Sequence, residues 1–148
     1  MTAPNHALTG ALIGLSIANP LLALPLALLS HFVLDAIPHH DPPLTISHRR
    51  YTHKLFIEAG LCGLVVLALV LTRPHHWLLA ALGAFLATSP DLLWFTKYLK
   101  KEEMVPVKAT DNWFWRFHGW VQWKTGPSLF PVEILWFVAA GSLFMSQL

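Results

Sequence analysis

Histidines and aspartates recur along this chain at spacings that let them share one small volume. The densest stretch, Ser30-His31-Phe32-Val33-Leu34-Asp35-Ala36-Ile37-Pro38-His39-His40-Asp41, ends an apolar run. His31 and Asp35 are four apart, so on a helix both project from one face. Pro38 ends that helix and exposes His39, His40 and Asp41 just beyond it. A second cluster, His48-Arg49-Arg50-Tyr51-Thr52-His53, opens the next apolar run, with Lys54 and Glu58 close behind. His6 begins the first apolar segment, and Asp91 follows Pro90 in a later one. Imidazole nitrogens beside carboxylate oxygens are the donor set of a borderline divalent ion: zinc first, manganese or iron next. The chain offers more donors than one tetrahedral ion needs, so the surplus reads as a second ion or as partners that orient the ligands.

The elements that must position these donors are apolar. Of 148 residues, 55 % are hydrophobic and only 12 % charged, against about 25 % charged in a soluble domain. The mean hydropathy is +0.51. The expectation is an all-α integral membrane bundle, a single domain of about five hydrophobic helices at roughly 4–18, 20–37, 53–72, 76–98 and 127–147. Polar loops fill about 38–52 and 99–126, with Pro90 interrupting the fourth helix. The first helix would span only roughly 22 Å, short of a ~30 Å hydrocarbon core, so it is either tilted in a thinned region or re-entrant. Cys62 is the single cysteine, which excludes a disulfide within the chain and a thiolate metal site. No Lys or Arg precedes Arg49, so the first segment lacks the basic region of a cleaved signal peptide and is expected to stay.

Charge orients the bundle. With both polar loops on one side, that side receives Arg49, Arg50, Lys54, Lys97, Lys100, Lys101, Lys108, Arg116 and Lys124, and only Arg73 lies opposite. The positive-inside bias then places the N-terminus and the histidine clusters at the cytoplasmic face of the inner membrane. The aromatic run of about 111–123, from Asn112-Trp113-Phe114-Trp115-Arg116-Phe117-His118 to Trp123, is too short to span. It reads as an interfacial segment that anchors the bundle, or as a lid and lipid entrance over the histidine site. His75, His76 and His118 read as interfacial residues. Ionisable groups inside membrane helices cost about 2.5–3.5 kcal/mol on insertion scales, so Glu58 and Glu133 are expected to be paired or functional.

His6, Ser30-His31-x-x-x-Asp35-x-x-Pro38-His39-x-Asp41 and His48-Arg49-x-x-Thr52-His53 resemble the small membrane-bound, predicted metal-dependent hydrolases. That family is grouped with zinc-dependent phospholipase C by its His/Asp pattern. The matching motifs cover roughly residues 1–58. Arg50 and Lys54 stand where the family's second motif has Gly and Ser, and Asp91 echoes its Pro-Asp element without a further ligand after it. The resemblance implies a metal site drawn from His6, His31, Asp35, His48 and His53.

The reading is therefore a metal-dependent hydrolase of a phosphoester, with a membrane lipid as substrate and no nucleic-acid partner. His6, His31, Asp35, His39, His48 and His53 are its candidate ligands, and Asp91 or Glu58 its proton acceptor. Arg49, Arg50 and Lys54 are candidate phosphate contacts, although positive-inside topology alone also explains them. The competing readings are a non-enzymatic membrane protein with a structural His/Asp site and, behind it, a divalent-metal transporter. A homodimer would thicken so thin a bundle.

Overall fold

A computed structural model describes residues 1–40, 48–99 and 112–148, with the backbone alone given for His48 and for residues 94–99. Among the described residues the chain is all-helical: α1 (Ala3–Ser16), α2 (Pro20–Ala36), α3 (His48–Thr72), α4 (Trp77–Leu99), α5 (Trp113–Val121) and α6 (Phe130–Met145), the last entered through a 3₁₀ turn at Pro127–Leu129. Asp41 and the charges at 100–103 and 108 lie outside the described residues.

Local chemistry sets several of the helix ends. Asn19 caps α2 by accepting from the Leu21 amide at 3.0 Å, with Pro20 at the first helical position. Asn112 caps α5 in the same way through the Trp115 amide. The start of α1 has no side-chain cap of its own. Glu133 of α6 provides one from a distance, accepting from the Thr2 amide at 3.0 Å, the Thr2 hydroxyl at 2.9 Å and the Asn5 amide group at 2.8 Å. An anion at a helix N-terminus also meets the positive end of the helix dipole. Glu133 thus works as a clasp between α6 and α1.

The shortest of the five apolar helices lies at the centre. α1 packs against α2, α3, α4 and α6, and Asn5, His6, Ala7, Leu8 and Ala11 are all buried. Its small side chains permit this. Gly10 lies against the backbone of Gly83 in α4, where a Cβ on either glycine would collide with the other's carbonyl. Gly14, one turn on, meets the backbone of Leu79 and Ala80. Such small-xxx-small spacing lets two helices pack backbone to backbone, which is how helices associate where apolar surroundings remove the hydrophobic drive. Ala23 and Ala27 of α2 and Ala80, Ala84 and Ala87 of α4 continue the small-residue core.

Two features differ from the sequence expectation, and the turn at 73–76 falls where it was expected. α3 begins at His48, so the second histidine cluster lies on a helix and not in a loop. α4 passes through Pro90 without a break. Pro90 has no N–H for the Leu86 carbonyl, and the Ser89 hydroxyl donates to that carbonyl instead, at 2.9 Å. The α3–α4 turn is made by Arg73 and His76 in left-handed backbone, with φ of 48° and 64°.

Outward faces are strongly apolar: Leu21 and Leu29 of α2, Phe56 and Leu71 of α3, and Leu135 of α6 are exposed. By length and composition two stretches among the described residues could cross a membrane, Arg49–Thr72 and Pro127–Met145; Pro20–Ala36 and Trp77–Leu93 are apolar but shorter.

The α1–α4 contact gives a direct stability prediction. Gly10→Leu forces the two backbones apart and is expected to cost about 3 kcal/mol or more. Gly60→Ala, on α3 where nothing lies within 4 Å, should be neutral or stabilising by up to about 1 kcal/mol. Thermal unfolding of both variants in detergent checks the contrast.

Candidate metal centre

Asp35 is the hub of a buried polar cluster at one end of the bundle. It is carried on the last turn of α2, one turn beyond His31, and both side chains are fully buried. His31 Nε2 lies 3.3 Å from Asp35 Oδ2. His6, from the first turns of α1, places its Nε2 3.2 Å from Asp35 Oδ1. The Met1 ammonium contacts the same oxygen. α5 closes the cluster from above: His118 Nε2 is 2.9 Å from Asp35 Oδ2, and the Gln122 side-chain amide donates to that oxygen at 2.9 Å. α4 supplies Asp91, whose Oδ1 is 3.8 Å from His31 Nε2. Its carboxylate is 27 % exposed, whereas His31, Asp35 and His118 are buried.

Backbone groups fix how these rings point. The Ala87 carbonyl of α4 can only accept, so His31 donates to it from Nδ1 at 2.9 Å. In the neutral ring this leaves the Nε2 lone pair aimed at Asp35, the orienting arrangement typical of metal-bound histidine. His39 is held likewise, donating from Nδ1 to the Ile37 carbonyl at 2.8 Å. Burial pushes the His39 imidazole below its ordinary pKa, and the Met1 ammonium pushes the same way. The strand-like contact of His39 with Thr125 and the Trp123 indole N–H on the Ala36 carbonyl tie the end of α2 to the segment after α5.

Four residues, His31, Asp35, Asp91 and His118, bring one donor atom each to within 4.8 Å of one another, and this group could hold a metal ion. The spacing fits. Bonds of 2.0–2.1 Å in a tetrahedral zinc site put neighbouring donors about 3.3 Å apart. Here His31 Nε2 and His118 Nε2 are separated by 3.2 Å, His31 and Asp35 by 3.3 Å, and His118 and Asp35 by 2.9 Å. Two imidazole nitrogens and two carboxylates facing one another are donor types that a borderline divalent cation takes.

Some residues singled out in the sequence fall elsewhere. His53 is exposed on α3 and is not among these donors; with α3 starting at His48, it falls on the outward stripe of Phe56, Ile57 and Leu64. His48 opens that helix, with its side chain outside the described residues. Arg49 and Arg50 are exposed. Lys54 pairs with Glu58 at 3.4 Å, so each neutralises the other. Asp91, read as a proton acceptor, stands among the donors themselves, and Glu133 is engaged with Thr2 and Asn5. His118, read as interfacial because it lies among Trp and Phe, is buried over Asp35. Its signal was present in the sequence: His118 and Gln122 are four apart, on the side of α5 opposite the exposed Trp113, Arg116, Phe117 and Trp120.

Family models, curated proteins and solved structures return no match to this chain.

The site gives a stability prediction that is independent of any metal. Asp35→Ala leaves several buried polar groups without their acceptor and is expected to cost about 3–5 kcal/mol in metal-free protein. Gln122→Ala removes one hydrogen bond to a charged group, about 1.5–3 kcal/mol. Denaturant titration after chelation measures both.

Proposed function

We propose that this chain is a membrane-embedded, metal-dependent hydrolase acting on a phosphoester at the membrane edge, with a lipid headgroup as substrate. The observation that carries the reading is the group of His31, Asp35, Asp91 and His118, buried except at the partly exposed Asp91. A catalytic site leaves a coordination position for water or substrate, and the partly exposed edge at Asp91 is where such a position would open. A divalent ion held there, zinc in the first place, supplies Lewis acidity that polarises a phosphoryl oxygen and renders water nucleophilic near pH 7.

The chain's own residues do the remainder. The Ala87 carbonyl holds His31 in the tautomer that presents Nε2. Gln122 orients Asp35, and His118 rides on a helix that can shut water out. Asp91, at the partly exposed edge, completes the donor set. The exposed Trp113, Trp120 and Trp123 belong at headgroup level, where an aromatic body meets apolar chains and its N–H stays wet. A lipid headgroup then reaches the site beneath α5 from the adjoining leaflet. The apolar outward faces of α2, α3 and α6 support membrane embedding, and the Lys/Arg bias supports a cytoplasmic orientation for the site. The resemblance to the small membrane-bound hydrolases supports the reading through His6, His31 and Asp35, which meet in this cluster, and not through the exposed His53.

One observation favours a second reading, a non-catalytic site. In the metal-free cluster Asp35 is already satisfied by the Met1 ammonium, His118 and Gln122, as a purely structural network requires.

The two readings part on turnover. Protein reconstituted in phospholipid vesicles with Zn²⁺ or Mn²⁺ should release headgroup or phosphate, lose that activity to EDTA, and lose at least about 100-fold in His118→Ala. Stoichiometric metal with no release from any phosphoester would establish the structural reading instead. Folded protein that takes up no metal would remove the hydrolase.

A further inference from the structure

The four-donor group leaves two buried imidazoles unused, and the two carboxylates are shared between both sets. Asp35 turns Oδ2 toward His31 and His118, at 3.3 and 2.9 Å. It turns Oδ1 the other way, toward His6 at 3.2 Å and His39 at 4.0 Å. Asp91 repeats the division, with Oδ1 3.8 Å from His31 Nε2 and Oδ2 4.0 Å from His6 Nε2. In all these contacts the imidazole atom is Nε2. His39 also copies the device that orients His31, an Nδ1–H donated to a backbone carbonyl.

His6 supplies the independent sign of a missing ligand. It is completely buried, its Nδ1 has no hydrogen-bond partner, and its Nε2 has only carboxylate oxygens before it, the nearest at 3.2 Å. Leaving a buried polar group unsatisfied costs about 1–3 kcal/mol, and native structures seldom tolerate it without a reason. Its ring stacks on that of His31, with centroids 4.2 Å apart and planes within 25°. The two rings therefore meet the pair of carboxylates side by side.

We propose that the protein holds two divalent ions bridged by Asp35 and Asp91, one bound by His31 and His118 and the other by His6 and His39. This rests on the metal-site reading above and extends it from one ion to two. Paired ions about 3.5–4 Å apart stabilise both the attacking and the leaving oxygen of an in-line displacement. The substrate class this favours is a phosphoester, whose water-derived attacking oxygen and ester leaving oxygen the two ions would each stabilise. The Met1 ammonium reaches the same Asp35 oxygen as the second ion, which must displace it.

The test is to strip the detergent-purified protein with chelator, reload it with Mn²⁺, count ions per chain by elemental analysis and record the electron paramagnetic resonance spectrum. Two ions per chain with an exchange-coupled spectrum are expected. His6→Ala should drop the count to one and restore the six-line signal of an isolated Mn²⁺. One uncoupled ion in the wild type, unchanged in His6→Ala, would overturn the second position and leave the single-ion reading standing. No bound ion would overturn both. If circular dichroism shows that His6→Ala has lost its helices, His39→Gln and the wild-type spectrum decide the matter.

Discussion

A carboxylate removed from water must be compensated, and Asp35 is removed completely. Transferring an isolated ionised group into an apolar interior is prohibitive unless partners surround it. The chain brings those partners from four places: α1 with His6, α2 with His31, the residue pair beyond it with His39, and α5 with His118 and Gln122. Each of these elements has a further reason to be where it is, but the one requirement they share is the charge on Asp35. The arrangement of this end of the bundle follows from meeting it.

The opposite end of α1 answers to a different constraint. Gly10 and Gly14 let α1 lie directly on the α4 backbone, and α4 carries both Asp91 and the Ala87 carbonyl. Gly10 packs directly against Ala87, so the glycines fix how α1, with His6, sits against the α4 groups that meet the cluster, Asp91 facing His6 and His31 and the Ala87 carbonyl holding His31. Pro90 belongs to the same arrangement. It removes one hydrogen bond from α4 next to the site, and Ser89 repairs it locally, so the helix continues and Asp91 stays on the inner side.

Much of this was legible in the chain because local spacing decides it. The i, i+4 relation of His31 and Asp35 puts them in one volume whatever the tertiary structure, and Pro38 fixes where their helix ends. The all-helical class follows from apolar runs with prolines and asparagines between them. The less legible parts depend on contacts distant in sequence. His118 has no carboxylate near it in the chain; its partner is 83 positions away, and its aromatic neighbours suggested only an interface. His53 was grouped with His48 by motif, but the helix starts early enough to turn it outward. The central place of α1 depends on glycines matching across two helices, which neither sequence segment displays by itself.

The Glu133 clasp has a consequence for how the molecule is assembled. It joins Thr2 and Asn5 to a residue 131 and 128 positions later, and α1 is the innermost helix. In a chain made from its N-terminus, the first helix waits for the Glu133 contacts until α6 has emerged. Contacts of such long range slow folding, because the loop they close must be ordered before it is rewarded. His6, His31 and Asp35 exist early in synthesis, whereas His118 and Glu133 arrive late. The contacts that close over Asp35 from α5 therefore form only after most of the residues they close upon have been made.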